Sequence, residues 1–244
     1  MGQTFAEKVL SKKVRRKLTA GEIVDVYPDY AMSHDNTAAI YGIFNEIGVD
    51  KVYNPDIHVV VLDHNSPPAN EKLALNHKTI REFVKRYHIE NFFDINAGIC
   101  HQVLPEQGFA LPGKVIVGSD SHTTTYGAFG AFATGIGRSE MAVIFATGKI
   151  WLRVPESVQI RIAGKLPPGV TSKDVMLYII GDVKADGALY KSVEFVGETV
   201  ENMTLASRMV LTNMAVEMGA KTVSYTHLRA HETRHDLVCR LLLE

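Results

Sequence analysis

Two short runs of apolar, mostly β-branched residues constrain this chain more than any other feature. Val59-Val60-Val61-Leu62 stops at Asp63 and His64, and Val115-Ile116-Val117-Gly118 stops at Ser119, Asp120, Ser121 and His122. A run without polar alternation is the pattern of a strand buried on both faces, the setting of a parallel sheet covered by helices. Helical signals separate the runs. Residues 35–48, DNTAAIYGIFNEIG, set Ile40, Phe44 and Ile47 on one face with Gly48 as the stop. After Pro67 and Pro68, which suit the first turn of a helix, Ile80, Phe83, Val84 and Tyr87 form an apolar face, with Lys78, Arg81, Lys85 and Arg86 around the other. Thr4 and Glu7 announce an earlier helix by a capping box. Residues 91–102, NFFDINAGICHQ, predict a strand ending near His101. Strands alternating with helices argue for an α/β fold with a parallel sheet, whose ligands bind beyond the carboxyl ends of the strands. Three strand ends then each bring a histidine to that edge (His64, His101, His122), and two bring an aspartate (Asp63, Asp120).

Character changes along the chain. The Gly-rich stretch 126–140 lacks the third glycine and the leading strand of a dinucleotide fingerprint, and reads as a tight turn before a helix over 139–149. From Pro155 on, Val158, Ile160 and Ile162 alternate with Gln159 and Arg161, the pattern of a half-exposed strand in a new sheet. This divides the chain into a first α/β domain, residues 1–154, and an incomplete second one, 155–222. A helix over 204–218 closes the second part, with Asn213 and Glu217 as a polar pair on an apolar surface that calls for a partner. Residues 223–244 share no pattern with the rest and read as a translated sequencing adapter, non-native, so Cys239, His227, His231 and His235 are set aside. That leaves Cys100, which excludes a disulfide framework and suits a small buried hydrophobe. A net charge of −1 gives no electrostatic reason for a nucleic-acid or membrane partner, and the mixed-charge N-terminus lacks the apolar stretch of a signal peptide. A small-molecule ligand and a cytoplasmic setting are expected.

The chemistry narrows by residue type. Closely spaced zinc motifs are absent, and so is the GxSxG elbow that would make Ser121 a nucleophile. Acid–base work remains, since a carboxylate beside a histidine raises its affinity for a proton. Residues AMSHDNT (31–37), LDHNSPP (62–68), GICHQV (98–103), GSDSHTTTYGAFGAFATGIGRSE (118–140) and NMAVEMGAKT (213–222) together resemble the aconitase family, and within it the large subunits of 3-isopropylmalate dehydratases. The resemblance covers residues 1–222 in order. It implies an aconitase-like three-layer α/β fold and a hydro-lyase that isomerises 2-isopropylmalate and 3-isopropylmalate in leucine biosynthesis. It also implies a 4Fe-4S cluster as Lewis acid. Matched by motif, Asp63 and His64 protonate the departing hydroxyl, while His101 with Asp120 and His122 with Glu217 orient the water or hydroxyl. Ser121 contacts a substrate carboxylate, His34 touches substrate and Asn213 lies near the cluster. The cluster cysteines are expected beyond Thr222, and the serine base in a small-subunit partner carrying a swivelling domain, so the chain as written is expected to be inactive alone. Homoaconitate or citrate is the alternative substrate. RNA binding, known for some aconitase relatives without their cluster, is disfavoured by the near-neutral charge.

Overall fold

The computed structural model describes residues 2–225; residues 226–244, on which most of the tail read as non-native falls, lie outside the described residues. The chain opens with α1 (Phe5–Val14), whose capping box forms: the Thr4 N–H donates to Glu7 Oε2 at 2.8 Å and the Glu7 N–H to Thr4 Oγ1 at 3.4 Å. Strands β1 (Ile23–Val26) and β2 (Tyr30–Ser33) follow, then α2 (Thr37–Ile47), β3 (His58–Val61), α3 (Glu71–Tyr87), β4 (Phe92–Phe93), α4 (Cys100–Glu106) and β5 (Val115–Gly118). A 3₁₀ helix, Ser121–Phe129, leads to β6 (Phe132–Gly135), α5 (Arg138–Thr147), β7 (Ile150–Arg153) and β8 (Ser157–Arg161). Then come α6 (Ser172–Val183), β9 (Ser192–Val196), α7 (Glu198–Glu201), α8 (Leu205–Met214), a 3₁₀ turn Ala215–Met218 and β10 (Thr222–Tyr225).

Five strands pair in parallel in the order β4-β3-β2-β5-β6. Connections run outward in both directions from the β2/β5 pair, so the crevice at their carboxyl ends is the topological switch point where such sheets bind ligands. The continuous apolar runs have a direct cause. Val60 and Leu62 share a cluster with Phe44, Phe83 and Phe145 from α2, α3 and α5, whereas Val59 and Val61 face Cys100, Tyr126, Phe129 and Phe195 on the other side. Both faces are covered, so a polar side chain on the strand needs an internal partner, as His58 at its start has in the Tyr53 carbonyl. A smaller parallel sheet, β10-β9-β8, lies beyond, and its Val193, Phe195 and Val223 join Met32 and Ile116 in one apolar layer. Val223, Ser224 and Tyr225 complete β10 and are buried. β1 pairs antiparallel with β7. Among the described residues no helix is long and apolar enough to cross a membrane.

Several local expectations change. The strand predicted to end near His101 stops at Phe93, because Asn96 (φ 72°) and Gly98 (φ 126°) turn the chain through the left-handed region and His101 falls in the first turn of α4 instead. Pro67 and Pro68 precede α3 rather than opening it. Asn70 is its N-cap, accepting the Leu73 N–H at 3.0 Å. Ile47, at the last turn of α2, is 41% exposed while Ile40 and Phe44 are fully buried. His122 lies not on the strand end but in the 3₁₀ helix, whose N-cap is Asp120.

Candidate functional site

Beyond the carboxyl ends of β2, β3 and β5 the chain turns polar at once, and the polar side chains converge. From β5, Asp120 points its carboxylate into the crevice, where its Oδ1 accepts the His122 N–H at 2.7 Å and His101 Nε2–H at 3.0 Å. Its Oδ2 lies 3.2 Å from His64 Nε2. From β3, Asp63 Oδ1 lies 2.6 Å from His64 Nδ1, and its Oδ2 accepts the Cys100 N–H at 2.6 Å. Both ring nitrogens of His64 therefore face carboxylate oxygens, which requires both to carry protons. The hydrogen bonds to Asp120 and then Asp63 outweigh partial burial and raise the His64 pKa to about 10. Burial opposes ionising Asp120 and Asp63, but the histidine and backbone donors prevail and hold both carboxyls below their ordinary value.

The other predicted residues fall around this centre. His122 Nε2 reaches Glu217 Oε1 at 3.3 Å, linking the Ser121–Phe129 3₁₀ helix to the 3₁₀ turn that follows α8. Ser121 Oγ lies 3.3 Å from His122 Nδ1. His34, from the end of β2, stacks on His64 with ring centroids 3.9 Å apart, and burial followed by the charge of His64 lowers its pKa. It is thus a neutral ring against a cationic one. Asn213 Nδ2 donates to Thr125 Oγ1 at 2.9 Å, one turn along from His122. A cleft of about 320 Å³ opens beside Ser121, between Gly135, Gly137, Glu140 and Lys221. Lys221 Nζ donates to the Gly135 carbonyl at 3.0 Å, and burial lowers its pKa against the opposing charge of Glu140. All three predicted carboxylate–histidine pairs are within hydrogen-bond reach, and Asp120 joins two of them into one network.

Sequence reasoning missed Asp35 and His77. Asp35 Oδ1 lies 2.6 Å from His77 Nε2, both residues are buried, and the same carboxylate holds the backbone of residues 63–65. The signal was a histidine on the apolar stripe of α3, three residues before Ile80, since a buried imidazole needs a polar partner. His34, Asp35, Asp63 and His64 also place one donor atom each within 4.8 Å of one another. The Asp35 and Asp63 carboxylates, both His64 ring nitrogens and His34 Nε2 already have internal partners, while His34 Nδ1 is buried without one.

The structure is thus a doubly wound α/β fold with linked carboxylate–histidine pairs at its switch point. The family model that matches this chain, over residues 7–229, is described as the aconitase family (aconitate hydratase). The chain belongs to the aconitase family. It is 52% identical over 223 residues to "3-isopropylmalate dehydratase large subunit 1" of Methanopyrus kandleri, covering 91% of this chain and 53% of that protein. Over 195 residues it is 52% identical to "Probable methanogen homoaconitase large subunit" of Methanosarcina mazei, covering 80% and 50%. To "3-isopropylmalate dehydratase large subunit" of Aquifex aeolicus it is 46% identical over 224 residues, covering 91% and 52%. The chain spans about half the length of the curated relatives it matches.

Proposed function

We propose that this chain supplies the proton relay of a hydro-lyase that removes water from, and returns it to, a hydroxy-di- or tricarboxylic acid, interconverting 2-isopropylmalate and 3-isopropylmalate. The observation that carries this reading is His64, protonated between two carboxylates while 42% of its side chain stays open to the crevice. Hydroxide is a poor leaving group because it departs as a strong base. A proton held with a pKa of about 10 is retained at neutral pH yet passes downhill to a departing hydroxide. Asp63 and Asp120 keep the ring charged and oriented. His101 with Asp120, and His122 with Glu217, would orient the water or hydroxyl on the far side of the same carboxylate. Ser121 and His34 would meet the substrate, one at its carboxylate and one beside the donor ring.

Members of the aconitase family use a 4Fe-4S cluster. Such a cluster is held by cysteine thiolates. Cys100 is the one cysteine among the described residues, and it is buried in the apolar layer, its thiol pushed well above the ordinary value by burial and by the nearby Asp63 charge. The described residues do not fit the cluster, and no step above passes through it. The "large subunit" names of the relatives support a small-subunit partner. A buried free thiol accords with a cytoplasmic setting.

Relatives named as homoaconitase large subunits support homoaconitate as a second substrate reading, with citrate as the related tricarboxylate. The test is turnover by the complete large subunit assembled with its small subunit, offered 2-isopropylmalate, homocitrate and citrate separately. Preference for 2-isopropylmalate supports the first reading and preference for homocitrate replaces it. Failure to dehydrate any of the three overturns both.

A further inference from the structure

The side chain of His64 is held by Asp63 and Asp120, but its main chain is held from elsewhere. Asp35 Oδ2 accepts the N–H groups of Asp63 (3.0 Å) and His64 (2.8 Å), and Asp35 Oδ1 accepts that of Asn65 at 3.2 Å. Three consecutive N–H groups converging on one carboxylate form a backbone nest, a concavity that extended chain cannot make. The geometry matters because neighbours on an extended strand point to opposite sides. Asp63 and His64 nevertheless meet at 2.6 Å, which requires the turn that the nest imposes. His77 completes the arrangement from the middle of α3: its Nε2–H donates to Asp35 Oδ1 at 2.6 Å, and both side chains are at most 5% exposed.

We propose that Asp35 and His77 form a positioning pair, in which His77 fixes the Asp35 carboxylate, and the carboxylate, through the nest, sets the His64 ring where it reaches Asp63 and Asp120 together. Calling the pair a positioning device for catalysis rests on reading His64 as the proton donor. Packing alone does not call for it, since apolar residues at positions 35 and 77 together would fill the same space without a buried ionisable pair. The charged and titratable groups involved are few. His64 faces Asp63, Asp120 and the neutral ring of His34, and Asp120 in turn faces His101 and His122. His77 faces Asp35 directly and Asp94 at longer range, and Asp94 is paired with Arg81 on the same helix.

The test is a histidine NMR titration of the 244-residue chain, with the His64 resonance assigned by its loss in His64→Gln. His77→Gln keeps an N–H donor near the place of Nε2, whereas His77→Leu removes it. In His77→Leu the His64 midpoint should fall toward the ordinary value by about one unit or more, a tenfold or greater loss of proton affinity. In His77→Gln it should stay within about 0.3 unit of the parent. If His77→Leu does not fold, Asp35→Asn serves instead, with the same downward shift expected because the nest loses its charge. An unchanged midpoint in a folded His77→Leu or Asp35→Asn chain overturns the proposal, as does an equal shift in His77→Leu and His77→Gln. The readout is a protonation equilibrium, so loss of the hydro-lyase reading through inactive assemblies would leave this result standing, and the reverse also holds.

Discussion

Replacing Asp120 with asparagine removes the charge that the network shares while keeping shape and one acceptor oxygen. In the parent, Asp120 takes the His122 N–H and His101 Nε2–H on Oδ1 and faces His64 Nε2 from Oδ2 at 3.2 Å. A hydrogen bond to a charged partner contributes about 1.5–3 kcal/mol, equivalent to about 1–2 pH units on the partner's titration. His64 is 42% exposed, so screening favours the lower end, and Asp63 still holds Nδ1. The His64 midpoint should therefore fall from about 10 to about 8–9. The sign of the stability effect follows from linkage. A histidine whose folded pKa is raised stabilises the fold fully below about pH 6.5, and that contribution fades as pH climbs to about 10 in the parent. Asp120→Asn should end the fade near pH 8–9, about one unit or more earlier. One amide oxygen cannot serve three donors, so unfolding free energy should also fall by about 1–3 kcal/mol at neutral pH. Histidine NMR and urea unfolding at several pH values measure both quantities. A His64 midpoint unchanged in the folded variant would refute the assignment of Asp120 as its main partner.

Other consequences are independent of the site. His58 is fully buried, and burial lowers its pKa to about 4 despite its hydrogen bond to the Tyr53 carbonyl. Its folded pKa lies below the unfolded value, so stability should be lost as pH falls from about 6.5 to about 4, by roughly 3–3.5 kcal/mol at the limit. His58→Gln should flatten that slope in urea titrations, and an unchanged slope would count against it. Gly127→Ala should destabilise by about 1–3 kcal/mol in thermal unfolding, because a Cβ there collides with the Val223 carbonyl in β10. Gly42→Ala, in open space on α2, should instead stabilise by about 0.5–1 kcal/mol. Equal effects of the two alanines would contradict the packing of β10 on the 3₁₀ helix.

The core strands were legible because burial on both faces leaves a one-dimensional mark: Val59–Leu62 and Val115–Val117 hold no polar residue, and the first polar residues after them are those of the site. Pairing was not legible. Nothing local in residues 22–32 names a partner strand, yet β1 joins β7 while β2 occupies the centre of the main sheet, a choice made by contacts more than a hundred residues apart for β1. His101 was assigned to the right partner and the wrong element. A two-residue strand followed by a left-handed turn has no periodicity to read, whereas the GICHQV motif carried the pairing through resemblance. Asp35 and His77 escaped because a carboxylate that binds backbone N–H groups leaves no side-chain motif, and one histidine among the apolar residues of a helix looks like packing. The cap of α1, by contrast, is local and reads directly from Thr4 and Glu7, whereas that of α3 at Asn70 does not stand out beside Pro67 and Pro68.

The central claim is that His64 carries the proton to the departing hydroxyl. Its most direct test is kcat for dehydration by the complete large subunit assembled with its small subunit, comparing His64→Gln with the parent across pH. The account predicts a loss of about 100-fold or more in kcat, with KM changed far less and the parent's alkaline limb missing from the residual activity. A His64→Gln enzyme that turns over within about threefold of the parent, with the same pH profile, would contradict it.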